Sequence, residues 1–246
     1  MPEFEHISWK PAAGIEAAFS LKNPRWNTDS HIPGLNLGYN TSEDDAITTR
    51  NRLEWIKSAG GRPELTSWGI QVHQDNVQLV NEPGVFPNTD ALVTKRSGHS
   101  LAIFVADCAA VLLADSEAGV IGAAHAGWKG AVADIVPKTV VAMEKLGAQP
   151  SRIKAFISPC ISLAKFEVGE EVADRFPEQF ADRSRTKPHV DLKGFVMQQL
   201  LDAGLSTEAI TLSKECTVGD PKAFYSFRRE KQQSGRMMAL ITLKAR

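Results

Sequence analysis

Between residues 90 and 124 the chain carries four short apolar runs: Asp90-Ala-Leu-Val-Thr94, Leu101-Ala-Ile-Phe-Val105, Ala110-Val-Leu-Leu-Ala114 and Val120-Ile-Gly-Ala-Ala124. Turn-prone residues such as Ser97-Gly98 and the stretch 115–119 separate them. The runs do not alternate apolar with polar, so they predict strands covered on both faces and not a sheet with one wet side.

Helical periodicity supplies that cover. Ser42, followed three residues later by Asp45, reads as a capping-box-like start for a helix with Ile47, Leu53 and Ile56 on one face. Gly60-Gly61 and Pro63 stop it. Val132, Ile135, Val136, Val140, Met143 and Leu146 predict a second helix, kinked at Pro137 and ended by Gly147. Further helices are expected around Glu170 to Phe180 and Asp191 to Leu201, and strands at Ile153–157 and Ala239–243. Strands and helices mix without strict alternation, and no linker or repeat divides the chain. The expected fold is α+β: mixed β-sheets sandwiched by helices, one domain spanning 1–246.

Composition narrows the function classes. With 246 residues, 43% hydrophobic and 23% charged, a core needs no disulfide scaffold. A net charge of −1 gives no global pull toward nucleic acid or anionic membrane, so neither is expected as a partner. No apolar stretch approaches the roughly 20 residues of a spanning helix. The opening Met1-Pro2-Glu3-Phe4-Glu5-His6 lacks the pattern of a signal peptide. Cys108, Cys160 and Cys216 are odd in number and widely spaced, which fits a reducing compartment. The expectation is a cytoplasmic protein acting on a small molecule; its oligomeric state is not legible.

Three residues could carry chemistry. Cys108 follows Asp107 at the end of a predicted strand, His125 closes the next, and His73 sits in Gln71-Val-His73. Strand ends that feed loops are where such scaffolds place reactive groups. Two imidazoles and a thiolate suit Zn²⁺ and leave its fourth position open. The gaps, 35 residues from 73 to 108 and 17 from 108 to 125, match no short zinc-finger pattern. The same set allows a Cys108–His125 nucleophile pair for acyl transfer, or a Cu²⁺ site with two His and one Cys. Copper is the weaker choice, since six histidines with no His-x-His pair are too few for a multicopper centre. Packed, inert side chains remain the other alternative.

A longer set of motifs resembles the YfiH-type family, also called laccase-domain or multicopper polyphenol oxidase-like proteins and peptidoglycan editing factors. The match runs through Gly34-Leu-Asn-Leu-Gly38, Asn51-Arg52-Leu53, Gln71-Val-His73, Asp90-Ala-Leu-Val-Thr94 and Ala106-Asp-Cys108. It continues through Ala124-His-Ala-Gly-Trp-Lys-Gly130, Ser158-Pro-Cys-Ile161, Phe166-Glu-Val-Gly169, Tyr225-Ser-Phe-Arg-Arg229 and Ser234-Gly-Arg236. The segment Phe19-Ser-Leu-Lys-Asn-Pro-Arg25 departs from the family's usual Gly-Gly turn. The resemblance implies one catalytic zinc on His73, Cys108 and His125. It also implies phosphate-dependent cleavage of adenosine, inosine, guanosine and methylthioadenosine, with adenosine deaminase activity alongside. An amidase acting on peptidoglycan precursors and a copper-dependent polyphenol oxidase are the alternatives.

Those chemistries need further groups. Deamination calls for a proton-shuttling carboxylate, and Asp107 is the nearest by sequence, although a regular strand would point it away from Cys108. Phosphorolysis calls for an anion site, for which Arg52, Arg228 and Arg229 offer planar forks. The loop from Gly127 to Gly130 could add backbone N–H groups ahead of a helix. Trp128 could stack on a purine. His6, His31, His99 and His189 lie in polar contexts and are expected at the surface, while Cys160 and Cys216 are expected to be structural.

Overall fold

The computed structural model describes residues 3–245; Met1 and Pro2, the first residues of the N-terminal stretch read above, and Arg246 lie outside the described residues. In chain order the strands begin with β1 (His6–Ala12), β2 (Ile15–Ser20), β3 (Thr66–Gly69), β4 (Val77–Leu79) and β5 (Val85–Phe86). The apolar centre supplies β6 (Ala91–Thr94), β7 (Ser100–Val105), β8 (Ala109–Asp115) and β9 (Val120–Ala126). After it come β10 (Lys154–Ile157), β11 (Ala181–Asp182), β12 (His189–Val190), β13 (Ile210–Leu212) and β14 (Met237–Leu243). The helices are α1 (Asp45–Ser58), α2 (Trp128–Val132), α3 (Ile135–Glu144), α4 (Glu170–Ala173), α5 (Leu192–Asp202) and α6 (Phe227–Glu230).

Two six-stranded mixed sheets result, one ordered β1-β2-β14-β7-β3-β5 and the other β13-β10-β8-β9-β6-β4. Their inner faces meet. Along β8, Ala110, Leu112 and Ala114 point to the layer shared with Leu101, Ile103 and Val105 of β7 and Met237, Ala239 and Ile241 of β14. The alternate residues Val111 and Leu113 point outward, under Ile135, Val136, Val140 and Met143 of α3 and Val196 and Leu200 of α5. On the far side, Ala102, Met238 and Leu240 lie under Trp55 and Ile56 of α1. Each central strand is therefore covered on both faces, which is why its residues are apolar at every position and not at every second one. The expected sandwich of mixed sheets between helices is the observed one.

Several local expectations differ from the structure. The α1 cap is Asp44, whose carboxylate accepts from Ala46 N at 2.7 Å, and not Ser42. Residues 41–43 are otherwise engaged: Glu43 accepts from Ile32 N at 3.2 Å and ties the segment to the preceding loop. The buried face of α1 is Thr48, Asn51, Arg52, Trp55 and Ile56, while Leu53 is 42% exposed. Polar residues are buried there because they serve the 26–37 loop. Asn51 accepts from Trp26 Nε1 at 2.9 Å and donates to Asn36 O at 3.0 Å, and Arg52 Nε donates to Leu37 O at 2.7 Å.

Pro137 does not kink a helix. The break falls at Asp134, with φ at +64°, and Pro137 occupies the first turn of α3, where its missing N–H has no partner to lose. The helix expected from Glu170 to Phe180 stops at Ala173 and resumes as a single 3₁₀ turn, Glu178–Phe180. His99 and His189, expected at the surface, are 1% and 8% exposed, whereas His6 and His31 are exposed. Among the described residues no helix is long and apolar enough to cross a membrane.

Candidate metal centre

Two of the central strands, β8 and β9, bring reactive residues to one end of the second sheet. Cys108 immediately precedes β8, His125 is the sixth residue of β9, and the two strands pair antiparallel with His125 opposite Ala110. His73 arrives from the turn after β3. The ligand-type atoms of His73, Cys108 and His125 all lie within 4.8 Å of one another, and the two imidazole rings meet edge to face with centroids 4.7 Å apart. Three residues separated by up to 52 positions in sequence (73 to 125) are thus brought together, Cys108 and His125 by the pairing of β8 with β9 and His73 by the turn after β3.

Burial is graded across the set. His125 is buried, Cys108 half-buried and His73 exposed. Burial by itself would push the Cys108 thiol up; the charge of His125 and hydrogen bonds from both imidazoles overcome it and hold the thiol at about 6. Burial would likewise push His125 down, but the Cys108 thiolate and the Asp90 carboxylate hold it up at about 9. Each group thus favours the charged form of the other.

Backbone geometry at the site is special in two places. His73 has φ at +60° and Asp107 has φ at +84°, a region that residues other than glycine seldom occupy. His73 is held there by Asp90, whose carboxylate accepts from Val72 N at 3.0 Å, His73 N at 2.9 Å and Gln74 N at 3.0 Å. The same carboxylate lies 2.8 Å from His125 Nδ1. The Asp107 carboxylate accepts from Thr217 Oγ1 at 2.6 Å, Ser226 Oγ at 3.0 Å and Arg228 N at 2.6 Å. It ties the loop at Thr217 and the start of α6 to the corner that presents Cys108, and a proton-shuttle role would require one of those contacts to be exchanged.

Gly127 has a steric function. A Cβ at this position would stand 2.9 Å from Cys108 Sγ, 3.2 Å from His73 Cδ2 and 3.6 Å from His125 Nε2. The side chain it lacks would fill the space between the three ligands. The helix that follows, α2, is a single short turn, so the anion-binding role expected for this loop has no helix of useful length behind it.

The ligand set opens into a cleft of about 1040 Å³ whose walls include Tyr39, Trp68, Phe104, Trp128, Phe166 and Phe227. Arg52, Arg228 and Arg236 also line it. The Arg52 guanidinium lies between the rings of Tyr39 and Phe104, at 3.8 Å and 4.0 Å, and its buried Nη1 has no hydrogen-bond partner among the described residues. Burial moves its pKa down to about 10, so it stays a cation. Arg228 lines the cleft and donates Nη1 to Glu167 O at 2.7 Å. Arg229 does not line it: Nη1 donates to the carbonyls of Thr217 and Val218, and Nη2 to the Phe224 carbonyl and Glu230. Its charge closes a loop and is not free for a ligand.

Two residues of the site were not singled out from sequence. Asp90 opens an apolar run, and a carboxylate at the head of a strand covered on both faces needs buried donors, which was its available signal. Arg236 gave none beyond its place in the family motif. Cys160 and Cys216 are structural as expected: Cys160 is fully buried with its thiol pushed up to about 12, and Cys216 Sγ accepts from Ser162 N.

The donor set fits a borderline metal such as zinc: two imidazoles, one thiol whose ionisation they favour, and a cradle kept open by the glycine. Residues 18–244 match the family described as multi-copper polyphenol oxidoreductase laccase. A purine nucleoside phosphorylase of Deinococcus radiodurans is 41% identical over 217 residues, 87% of this chain and 83% of that protein. Another from Streptomyces griseus is 39% identical over 229 residues, 89% and 92% of the two chains. The crystal structure of YlmD from Geobacillus stearothermophilus superposes with a TM-score of 0.87 at 27% identity, covering 96% of this chain and 94% of that one. YfiH from Bacillus licheniformis superposes with a TM-score of 0.86 at 26% identity, covering 94% and 93%.

Proposed function

The chain belongs to the multi-copper polyphenol oxidoreductase laccase family of YfiH-type proteins, and from that premise we propose that it is a zinc-dependent purine nucleoside phosphorylase. Its expected substrates are adenosine, inosine, guanosine and methylthioadenosine, with adenosine deamination as a second activity. The observation that carries the reading is the convergence of His73, Cys108 and His125 on the floor of an aromatic cleft. The names of the curated relatives support the phosphorylase activity.

In phosphorolysis a phosphate oxygen bonds to C1′ of the ribose as the C1′–N9 bond breaks, and the base leaves with a proton. The cleft, at about 1040 Å³, is at the top of the roughly 300–1000 Å³ range of small-molecule sites, with room for a nucleoside beside an anion. Arg52 is the residue assigned to phosphate: a buried guanidinium with an unpaired N–H is satisfied when an oxyanion takes it. Arg228, on the same wall, adds positive potential. Trp128, which also lines the cleft, offers its ring for stacking on the base, and the aromatic walls keep water out of the reacting centre. Zinc bound by the three ligands would supply a Lewis acid that draws electron density from the substrate, or acidifies water for attack at C6 in deamination. The free thiols Cys108, Cys160 and Cys216 support a cytoplasmic setting.

A second reading has its own observation. Asp90, His125 and Cys108 stand in line, with the carboxylate 2.8 Å from Nδ1 and the thiolate on the other side of the ring, an arrangement suited to a Cys–His amidase. Chelation separates the two, since an amidase of this kind survives it. The deciding experiment is chromatography of adenosine products with zinc-loaded protein, with and without phosphate. Adenine and ribose 1-phosphate formed only with phosphate support the proposal, and inosine in both conditions supports the deaminase activity. Unchanged adenosine with zinc verified at one per chain refutes both and leaves the amidase reading. A charge-transfer band lost in Cys108→Ser would identify copper in place of zinc.

A further inference from the structure

We propose that Asp90 is the positioning residue of the metal centre, one carboxylate that fixes the ring pose of His125 and the backbone pose of His73 together. The inference rests on the reading that His73, Cys108 and His125 hold a metal. Asp90 is fully buried, and its only ion-pair partner among the described residues is His125. Four donors converge on it in two pairs. Oδ1 lies 2.8 Å from His125 Nδ1 and accepts from His73 N at 2.9 Å, and Oδ2 accepts from Val72 N and Gln74 N, both at 3.0 Å. The Asp90 carbonyl also accepts from His125 N at 2.7 Å.

Oδ1 holds both ligands at once, and Oδ2 supports the turn that carries His73. His125 Nε2 faces the thiolate, on the side that Gly127 leaves open. A metal-binding imidazole must offer a lone pair at that nitrogen, which places the ring proton on Nδ1, where only an acceptor suits it. His73 is in the left-handed region at φ +60°, a conformation sustained here by three consecutive N–H groups closing on one anion. Two oxygens with four lone-pair positions satisfy all four donors, and no other side chain of this size does. Asparagine is isosteric but brings an NH₂ to one side. Turned toward His125 it meets the Nδ1 proton, and turned toward Val72 and Gln74 it opens the turn that carries His73. The first orientation also sets the NH₂ against the His73 N–H and disturbs both histidines, the second disturbs His73, and no orientation keeps both.

The test is zinc titration of wild-type and Asp90→Asn protein against a chromophoric chelator, with ¹⁵N-histidine NMR of each, metal-free and zinc-loaded. Wild type should bind one zinc through His125 Nε2, with a proton on Nδ1 protected from exchange. Asp90→Asn should bind zinc about 10- to 100-fold more weakly, with at least one of the two histidine rings unmoved on adding zinc. Its Co²⁺ derivative should keep a thiolate charge-transfer band. Zinc affinity within threefold of wild type in a folded Asp90→Asn would overturn the proposal, as would wild-type ligation through His125 Nδ1. If the variant does not fold, the wild-type spectra decide alone: a protected Nδ1 proton supports the proposal and its absence refutes it. Wild-type protein that takes up no zinc refutes the metal reading, and the Nδ1 proton in that metal-free protein still decides the hold of Asp90.

Discussion

Replacing Gly127 by alanine adds one methyl group at the point where the three ligands converge, and separates metal binding from folding. The backbone there has φ −72° and ψ 166°, which alanine adopts freely. On backbone grounds the change therefore stabilises the chain by about 0.4–1 kcal/mol through its unfolded state. The new methyl, however, stands 2.9 Å from Cys108 Sγ and 3.2 Å from His73 Cδ2, inside the roughly 3.5–4.0 Å of an unstrained contact. In metal-free protein the exposed His73 ring and the half-buried Cys108 thiol can both turn aside and relieve the overlap. With metal bound they cannot, and overpacking of this kind costs about 1–3 kcal/mol. The expected result is zinc affinity lower by about 5- to 150-fold, with the metal-free unfolding midpoint unchanged or raised. Chelator competition and urea unfolding of metal-free protein measure the two quantities. Unchanged zinc affinity in Gly127→Ala would refute the geometry. A loss of metal-free stability as large as the loss of affinity would show that the glycine serves the fold and not the cradle.

His73→Ala, Cys108→Ala and His125→Ala should each emerge from purification without stoichiometric zinc; full zinc content by elemental analysis in all three would refute the ligand set. Arg52→Lys should raise the KM for phosphate by about 10- to 150-fold, from the roughly 1.5–3 kcal/mol of charge-assisted hydrogen bonds. Arg229→Lys should lower stability by about 1–3 kcal/mol and leave that KM within twofold, so equal kinetic effects would contradict the assignment. Asp115 is fully buried, accepts from Glu117 N, Ala118 N, Gln149 N and Arg152, and is held below the ordinary carboxylate range: burial raises it, and those hydrogen bonds outweigh the rise. A depressed carboxylate contributes its stability above the unfolded value of 3.8 and loses it as pH falls through the lower folded value. Asp115→Asn should thus cost roughly 1.5–3 kcal/mol at pH 7 and progressively less below pH 4, as read from urea midpoints across pH; a pH-independent loss would refute the ionic account.

The metal ligands were legible as a set because their residue types are restrictive, but spacing alone left zinc, nucleophile pair, copper and inert packing open. Strand pairing between β8 and β9 brings two of them together, and a period-2 reading cannot foresee which ends of two strands will be neighbours. The arginines illustrate the same limit. Arg228 and Arg229 are adjacent and chemically identical, yet one lines the cleft and the other is consumed by three carbonyls and a carboxylate. The N-terminal hairpin of β1 and β2 went unread because β1 (HISWKPA) is an edge strand carrying Pro11 and polar residues, and pairs only with β2. The buried side of α1 was misread for a related reason: Asn51 and Arg52 are buried to bond a loop, so hydrophobic periodicity pointed to Leu53 instead.

By itself the sequence determined the layered fold class and the chemical inventory of the site. Both follow from local facts: unbroken apolar runs require cover on two faces, and only certain side chains bind soft metals. Tertiary structure alone decided which donors are spent and which are free. It turned Gly127 from a possible anion loop into the clearance above the ligands, left Arg52 with an N–H unpaired among the described residues, and closed Asp90 on both histidines. The physical reason is that a hydrogen bond or a steric contact belongs to a pair of groups, and the second member of each pair lies tens of residues away along the chain.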